Sequence, residues 1–194
     1  MKANQLKLLG ECLFKGGLVL PTYSRPSLLG ECLTSIYSSE NSAQIAKIIV
    51  LQLGDLEVEQ LVQEYKDQNT FVIPILRIGT SPLFNINYNW WVGASFGFEI
   101  LGLPWLISLE EETVLKKNAF NFAIEMHEKY KSDVKFKGVN LSTKLVNESN
   151  RGTYSLLRCG FMGTGATILL EDWRKLKKYR VKSKLKDYPW DVFT

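Results

Sequence analysis

The sequence predicts an α/β fold: a mostly parallel central sheet with helices on both faces. Three observations predict it. Short apolar runs alternate with stretches of helical spacing over roughly the first 115 residues. Their order reads β-α-β-α-β-α-β, which favours parallel strands joined by covering helices. Two unusual polar stretches, Pro21–Pro26 and Glu110–Glu112, both follow apolar runs. They therefore fall at the carboxyl ends of strands, where ligands bind in such sheets.

The elements follow in order. "GGLVLPTYSRP" (Gly16–Pro26) is a short buried strand and a turn, because Pro21 cannot donate to a central ladder. In "SLLGECLTSIY", Leu28, Leu29, Cys32, Leu33 and Ile36 have helical spacing. Ile48–Gln52 is a second strand, closed by Gly54 and by Asp55 as an N-cap. Val58, Leu61, Val62 and Tyr65 then form one face of a helix. "FVIPILRIG" is a third strand. "NINYNWWVGASFGFEILG" is a helix that Gly93 and Gly97 weaken. "PWLISL" is a strand that the three glutamates terminate. Leu115, Phe122, Met126 and Tyr130 predict an amphipathic helix, and "VKFKGVNLST" a strand. A polar loop, the Gly-rich turn "GFMGTGA" (Gly160–Ala166) and a helix from about Leu170 complete the chain. No linker composition divides it, so one domain is expected over residues 1–194.

Composition narrows the function. The chain has 45% hydrophobic and 23% charged residues and a net charge of +4, which fits a full core and argues against disorder. Cys12, Cys32 and Cys159 form no CxxC pair, so neither a disulfide framework nor a zinc site is expected. The single histidine, His127, lies inside a helical pattern and is read as structural. No signal peptide is recognised and no run reaches the ~20 apolar residues of a membrane span, so a cytoplasmic protein is expected. Much of the basic excess lies in Arg174–Lys186. That run is a solvated helix face or a patch for an anionic partner, including a peripheral membrane surface. The aromatics lie in core segments rather than among these basic residues, which argues against nucleic acid. "GFMGTGA" lacks the GK[ST] ending of a P-loop, and no G-x-S-x-G elbow occurs.

The triplet Glu110–Glu112 has two readings. It is a charged strand end before a helix whose N-terminal dipole tolerates anions. Alternatively, its oxygens hold a hard cation such as Mg²⁺ or Mn²⁺, shared with a diphosphate.

Taken together, the pieces resemble a GT-A fold, nucleotide-sugar-dependent glycosyltransferase. The likeness is to glycosyltransferase family two and to N-acetylglucosaminyltransferase I-like enzymes. "LVLPTYSRPSLLGECLTSIY" is similar to the opening strand, turn and helix of that fold. "NYNWWVGASFGFEILGLPWLISLEEETVLKKNAF" resembles its central stretch, where an aromatic-bearing helix leads to a strand ending in Glu-Asp-Asp, a form of the DxD motif. "GFMGTGATILLEDWRKL" resembles the Gly-rich loop and following helix, and "PWDVF" the closing Trp-Asp element. The likeness runs in order from about Gly17 to Phe193.

The resemblance implies roles. Thr22, Tyr23 and Arg25 would line the nucleotide-base pocket, and Gln52 stands where many relatives carry a base-contacting carboxylate. Asn89 would join the nucleotide-sugar site. Glu110 and Glu111 would face donor sugar and ribose, and Glu112 would ligate the divalent metal, Mn²⁺ or Mg²⁺. Gly163 and Gly165 would form the acceptor and sugar loop, and Asp191 would be the catalytic base. The implied reaction moves a hexosyl or N-acetylhexosaminyl group from a nucleoside-diphosphate sugar, a UDP sugar by resemblance, to a glycan or other hydroxyl acceptor, with inversion. Two departures stand out: no aspartate occurs in the triplet, and the chain stops just after the expected base. The rival readings are a nucleotidyltransferase, for which "PTYSRPS" lacks the Gly-rich basic loop, and a non-catalytic GT-A-like module.

Overall fold

The structure, a computed structural model, describes residues 13–76, 82–141 and 164–183. Five strands form one sheet in the order β3-β2-β1-β4-β5. They are β1 (Gly16–Thr22), β2 (Ile45–Gln52), β3 (Thr70–Ile75), β4 (Trp105–Ser108) and β5 (Thr167–Leu169). The first four run parallel, and β5 pairs antiparallel to β4. The helices are α1 (Pro26–Ser38), α2 (Leu56–Tyr65), α3 (Pro82–Ser95), α4 (Ala119–Tyr130) and α5 (Leu170–Ser183). Among the described residues no helix is long and apolar enough to cross a membrane.

Alternation along each strand divides two apolar layers. Leu18, Leu20, Ile49 and Ile107 face α1, α2 and α4. Val19, Ile48, Val50 and Leu106 face α3 and α5, where Trp90, Trp91, Phe98 and Trp173 pack together. The expected helices on both faces are thus present. Asp55 caps α2 as expected, its side chain accepting from the Glu57 and Val58 N–H groups.

Both strand prolines avoid the ladder. Val19 O accepts the Leu109 N–H, so Pro21, two residues on, turns its nitrogen to the same side, past the last β4 partner, Ser108. Ile75 O accepts the Leu53 N–H, so alternation turns the Pro74 nitrogen to the open edge of the sheet.

Gly93 and Gly97 do not interrupt the helical segment. They let it lie close on the sheet. A Cβ at Gly93 would stand 2.4 Å from Val19 Cγ1, and one at Gly97 2.8 Å from Ile48 Cδ1. After Ser95 the helix widens into a π turn over Phe96–Ile100.

Three expectations are corrected. The second strand begins at Ile45 and buries Lys47, which the apolar run had excluded. Lys47 Nζ donates to Ser42 O and Asp67 Oδ2, each at 3.0 Å, and lies 5.1 Å from the centre of the Tyr37 ring. Burial lowers its pKa, and Asp67 opposes that shift. The buried face of α4 is Ala119, Phe120, Ala123 and His127, not the stripe through Phe122, Met126 and Tyr130. Leu115 is buried in the preceding loop, where its N–H bonds Ser35 Oγ. Finally, over residues 134–141, the described part of "VKFKGVNLST", the expected strand is a loop with a single bridge, Asn140 to Ala166. Gly138 takes φ +124° there, and a Cβ would stand 2.5 Å from Thr167 Oγ1.

His127 is structural, as expected. It stacks on Trp105, centroids 4.5 Å apart, and its Nε2 lies 3.1 Å from Thr167 Oγ1. That hydroxyl accepts the Val139 N–H and has its own proton to give, which suits a neutral imidazole. Burial pushes the His127 pKa down from 6.5 to about 4. Between those values the unfolded chain binds the extra proton, so stability falls as pH drops through this window. The expected loss attributable to His127 at pH 4.5 is about 2–3 kcal/mol. Urea melts at pH 7 and 4.5 should show it in wild type and not in His127→Asn. Equal pH dependence in both would refute the assignment.

Candidate functional site

The carboxyl edge of the sheet brings β1, β2 and β4 together, and with them most of the predicted site residues. Thr22 ends β1; it is buried and its hydroxyl donates to Val50 O at 3.4 Å. Gln52 ends β2. It is 8% exposed, and its Oε1 has no partner among the described residues. Asn89 is buried in α3. It lies one turn before Gly93 on the same stripe, and Gly93 meets Val19 and Val50. The strand and helix rises therefore place Asn89 level with Pro21 and Gln52. A polar pair so placed, with an open buried acceptor, is suited to reading a ligand's N–H groups.

The glutamates follow β4 and have three different fates. Glu110 is exposed, and its N–H bonds Thr113 Oγ1 in a turn that Thr113 N–H closes on Glu110 O. Glu111 turns inward and is 1% exposed. Its Oε1 accepts the Tyr23 N–H, and its Oε2 accepts Arg25 Nε at 2.9 Å. Glu112 is half-exposed and receives Arg25 Nη2 on Oε2 at 2.7 Å. Arg25 thus bridges two consecutive carboxylates and ties the turn after β1 to the turn after β4. Burial works against its charge, but the hydrogen bond to Glu111 and the charges of Glu112 and Glu111 outweigh it, so its pKa is raised. Arg25 was expected at the nucleobase and Glu111 toward sugar and ribose. The structure pairs them with each other.

Beneath the triplet, Cys32 Sγ donates to Glu110 O at 3.7 Å. Burial, then the charges of Glu111 and Glu112, push its pKa up to about 12, so it remains a thiol. Ser35 was not foreseen as part of this edge. Its hydroxyl accepts the Leu115 N–H at 3.0 Å and donates to Cys32 O, holding the segment after the triplet onto α1. The only sequence signal for Ser35 is its place on the apolar stripe between Cys32 and Ile36.

Gly165 reaches the same edge. Its φ is +82°, its N–H donates to Ser108 O at 2.7 Å, and its carbonyl accepts the Leu141 N–H. Gly165 therefore bonds β4 two residues before the triplet begins. Gly163 and Asp191 lie outside the described residues. In the basic run, Lys175 pairs with Glu171 and Asp172, and Lys177 with Glu99, so part of that charge is spent within the protein.

A divalent cation is what the resemblance implies here, and its fit is a matter of donor atoms. Both oxygens of Glu111 are engaged, and Glu112 has only Oε1 outside the Arg25 pair. Among the described residues no group of three or more His, Cys, Asp or Glu side chains is placed to hold a metal ion. These residues do not form a cation cradle. Of two grooves, of about 440 and 690 Å³, the first lies beside Tyr88 and Phe96 and the second beside Leu53 and Pro74. Neither is lined by the triplet.

No protein-family model and no curated protein matches the chain. Solved structures do. The structure of S. aureus TarS 1–349 superposes with a TM-score of 0.61 at 13% identity, covering 84% of this chain and 49% of that one. The same protein in complex with UDP-GlcNAc gives 0.59 at 14% identity, covering 84% and 48%. The mannosyltransferase PcManGT from Pyrobaculum calidifontis, in complex with GDP-Man and Mn²⁺, gives 0.56 at 14% identity, covering 91% and 48%. The chain spans about half the length of these solved chains.

Proposed function

From a chain with a GT-A-like, Rossmann-like fold, we propose a glycosyltransferase that moves a sugar from a nucleoside diphosphate to an acceptor hydroxyl. The observation that carries the reading is a convergence. Thr22, Tyr23 and Arg25, the open acceptor of Gln52, the glutamate triplet and Gly165 all meet at the carboxyl edge of one sheet. TarS binds UDP-GlcNAc and PcManGT binds GDP-Man, and both superpose on this chain. A nucleoside-diphosphate sugar, a UDP sugar first, is therefore the proposed donor, with a hexosyl or N-acetylhexosaminyl group transferred to a glycan or similar acceptor.

In the proposed reaction the base rests near Gln52 and Asn89, which offer buried amide groups. Asp191 accepts the proton of the attacking hydroxyl, and the anomeric centre inverts as the nucleoside diphosphate leaves. The test is release of UDP or GDP from UDP-GlcNAc or GDP-Man, with and without sugar acceptors. Slow release without acceptor is expected, because a transferase site commonly leaks its sugar to water. Tight nucleotide binding without release under any condition would leave a binding module, a reading that the engaged glutamates also suit. No binding of either nucleotide would sink the transferase reading.

A further inference from the structure

Glu112, the expected metal ligand, and Glu111, expected to face donor sugar and ribose, already hold a cation between them. Arg25 joins them through two different nitrogens, Nε to Glu111 at 2.9 Å and Nη2 to Glu112 at 2.7 Å. We propose that Arg25 is the resident cation of this edge, and that it supplies to a nucleoside diphosphate the positive charge otherwise expected from Mn²⁺ or Mg²⁺. The proposal rests on the donor class named above.

Three features carry it. First, Glu111 cannot release Arg25 cheaply. Its carboxylate is 1% exposed, and losing the guanidinium would leave a buried charge held only by the Tyr23 N–H. Second, Arg25 is fixed at its backbone. It stands at the N-cap of α1 before Pro26, and its carbonyl accepts the Leu29 N–H at 2.9 Å. Third, the guanidinium has capacity left. Of five N–H donors, two are used, and the remaining three have no partner among the described residues. The side chain is 48% exposed, so those donors are accessible. Their planar fork suits paired phosphate oxygens.

The first turn of α1 adds to this. No side chain caps it; Pro26 has no N–H and the Leu29 N–H is bonded to Arg25 O, which leaves the Ser27 and Leu28 N–H groups toward the same edge. The carboxylates work the other way: the triplet carries more negative charge than Arg25 offsets. A diphosphate should therefore meet the guanidinium and the α1 amides, with Glu112 as a repulsive neighbour. A dication would have to share Glu112 with an arginine that Glu111 keeps in place.

The test is calorimetric titration of UDP and GDP in EDTA and in excess Mn²⁺, with Mn²⁺ binding to nucleotide-free protein followed by electron paramagnetic resonance. Wild type is expected to bind its nucleotide within about threefold in both buffers and to show no tight Mn²⁺ site. Arg25→Gln should lose at least tenfold in EDTA, regain much of that in Mn²⁺ and acquire Mn²⁺ binding of its own. Glu112→Gln, which removes the repulsive neighbour, should tighten binding in EDTA about threefold. It keeps the proposal testable if Arg25→Gln does not fold. Wild-type binding that requires Mn²⁺ would overturn the proposal and leave the proposed donor class standing. So would a loss in Glu112→Gln confined to the Mn²⁺ buffer. Failure of both nucleotides in every buffer would overturn both readings together.

Discussion

Trp173→Ala should lose about 3–5 kcal/mol of stability, the usual cost of truncating a fully buried tryptophan. That is a large part of the about 5–15 kcal/mol that holds a domain folded. Trp173 is 1% exposed. It lies against Trp91, Trp90 and Phe98 at centroid distances of 4.5, 6.0 and 5.5 Å, and its indole N–H reaches Glu99 at 3.3 Å. Removing the ring empties the centre of one apolar layer and leaves Glu99 with Lys177 alone. The effect should spread to the candidate site. Trp173 seats α5, α5 follows β5 directly, and β5 leads back to Gly165 beside Ser108. The expected fall in Tm is about 6–20 °C, at about 2–4 °C per kcal/mol for a chain of this size. Trp173→Phe should recover much of it, because the neighbouring rings can still pack. A Trp173→Ala variant within about 1 kcal/mol of wild type would mean that α5 is not docked on the sheet.

Asp191→Asn should reduce sugar transfer about 10²–10⁴-fold while leaving nucleotide binding nearly unchanged. That range is the ordinary worth of a positioned general base. Asparagine keeps the size of the side chain but cannot take the acceptor's proton. Transfer near the wild-type rate would place the base elsewhere. Joint loss of binding and transfer would make Asp191 a binding or folding residue. Pairing turnover with a UDP titration on the same preparation separates these outcomes.

The parallel sheet was legible because strands buried on both faces read as continuous apolar runs, and β1, β2 and β4 do so. Lys47 was illegible for the same reason: it breaks its run, and its partner Asp67 lies 20 residues away. The α4 face was misjudged because "AFNFAIEMHEKY" is apolar on several sides. The burial of Ala119, Phe120 and Ala123 and the packing of Trp105 on His127 show which side turns inward. At the candidate site, Arg25 and the triplet were each singled out, but their pairing was not. They lie 86 residues apart, and spacing along the chain does not say that β4 lies beside β1. Strand order creates that contact, and with it the difference between an exposed metal ligand and a carboxylate already held by arginine.

The ends of the sheet bear on how the protein behaves when concentrated. An exposed edge strand normally offers a row of amide donors on which another chain can build. Here β3 points the nitrogen of Pro74 outward, so the row has a gap. At the other end β5 is three residues long, and Val139 to Leu141 already bond along it. Among the described residues neither end is a template for sheet extension. Crowded solutions should therefore form loose, reversible contacts between surfaces in preference to ordered cross-β fibrils.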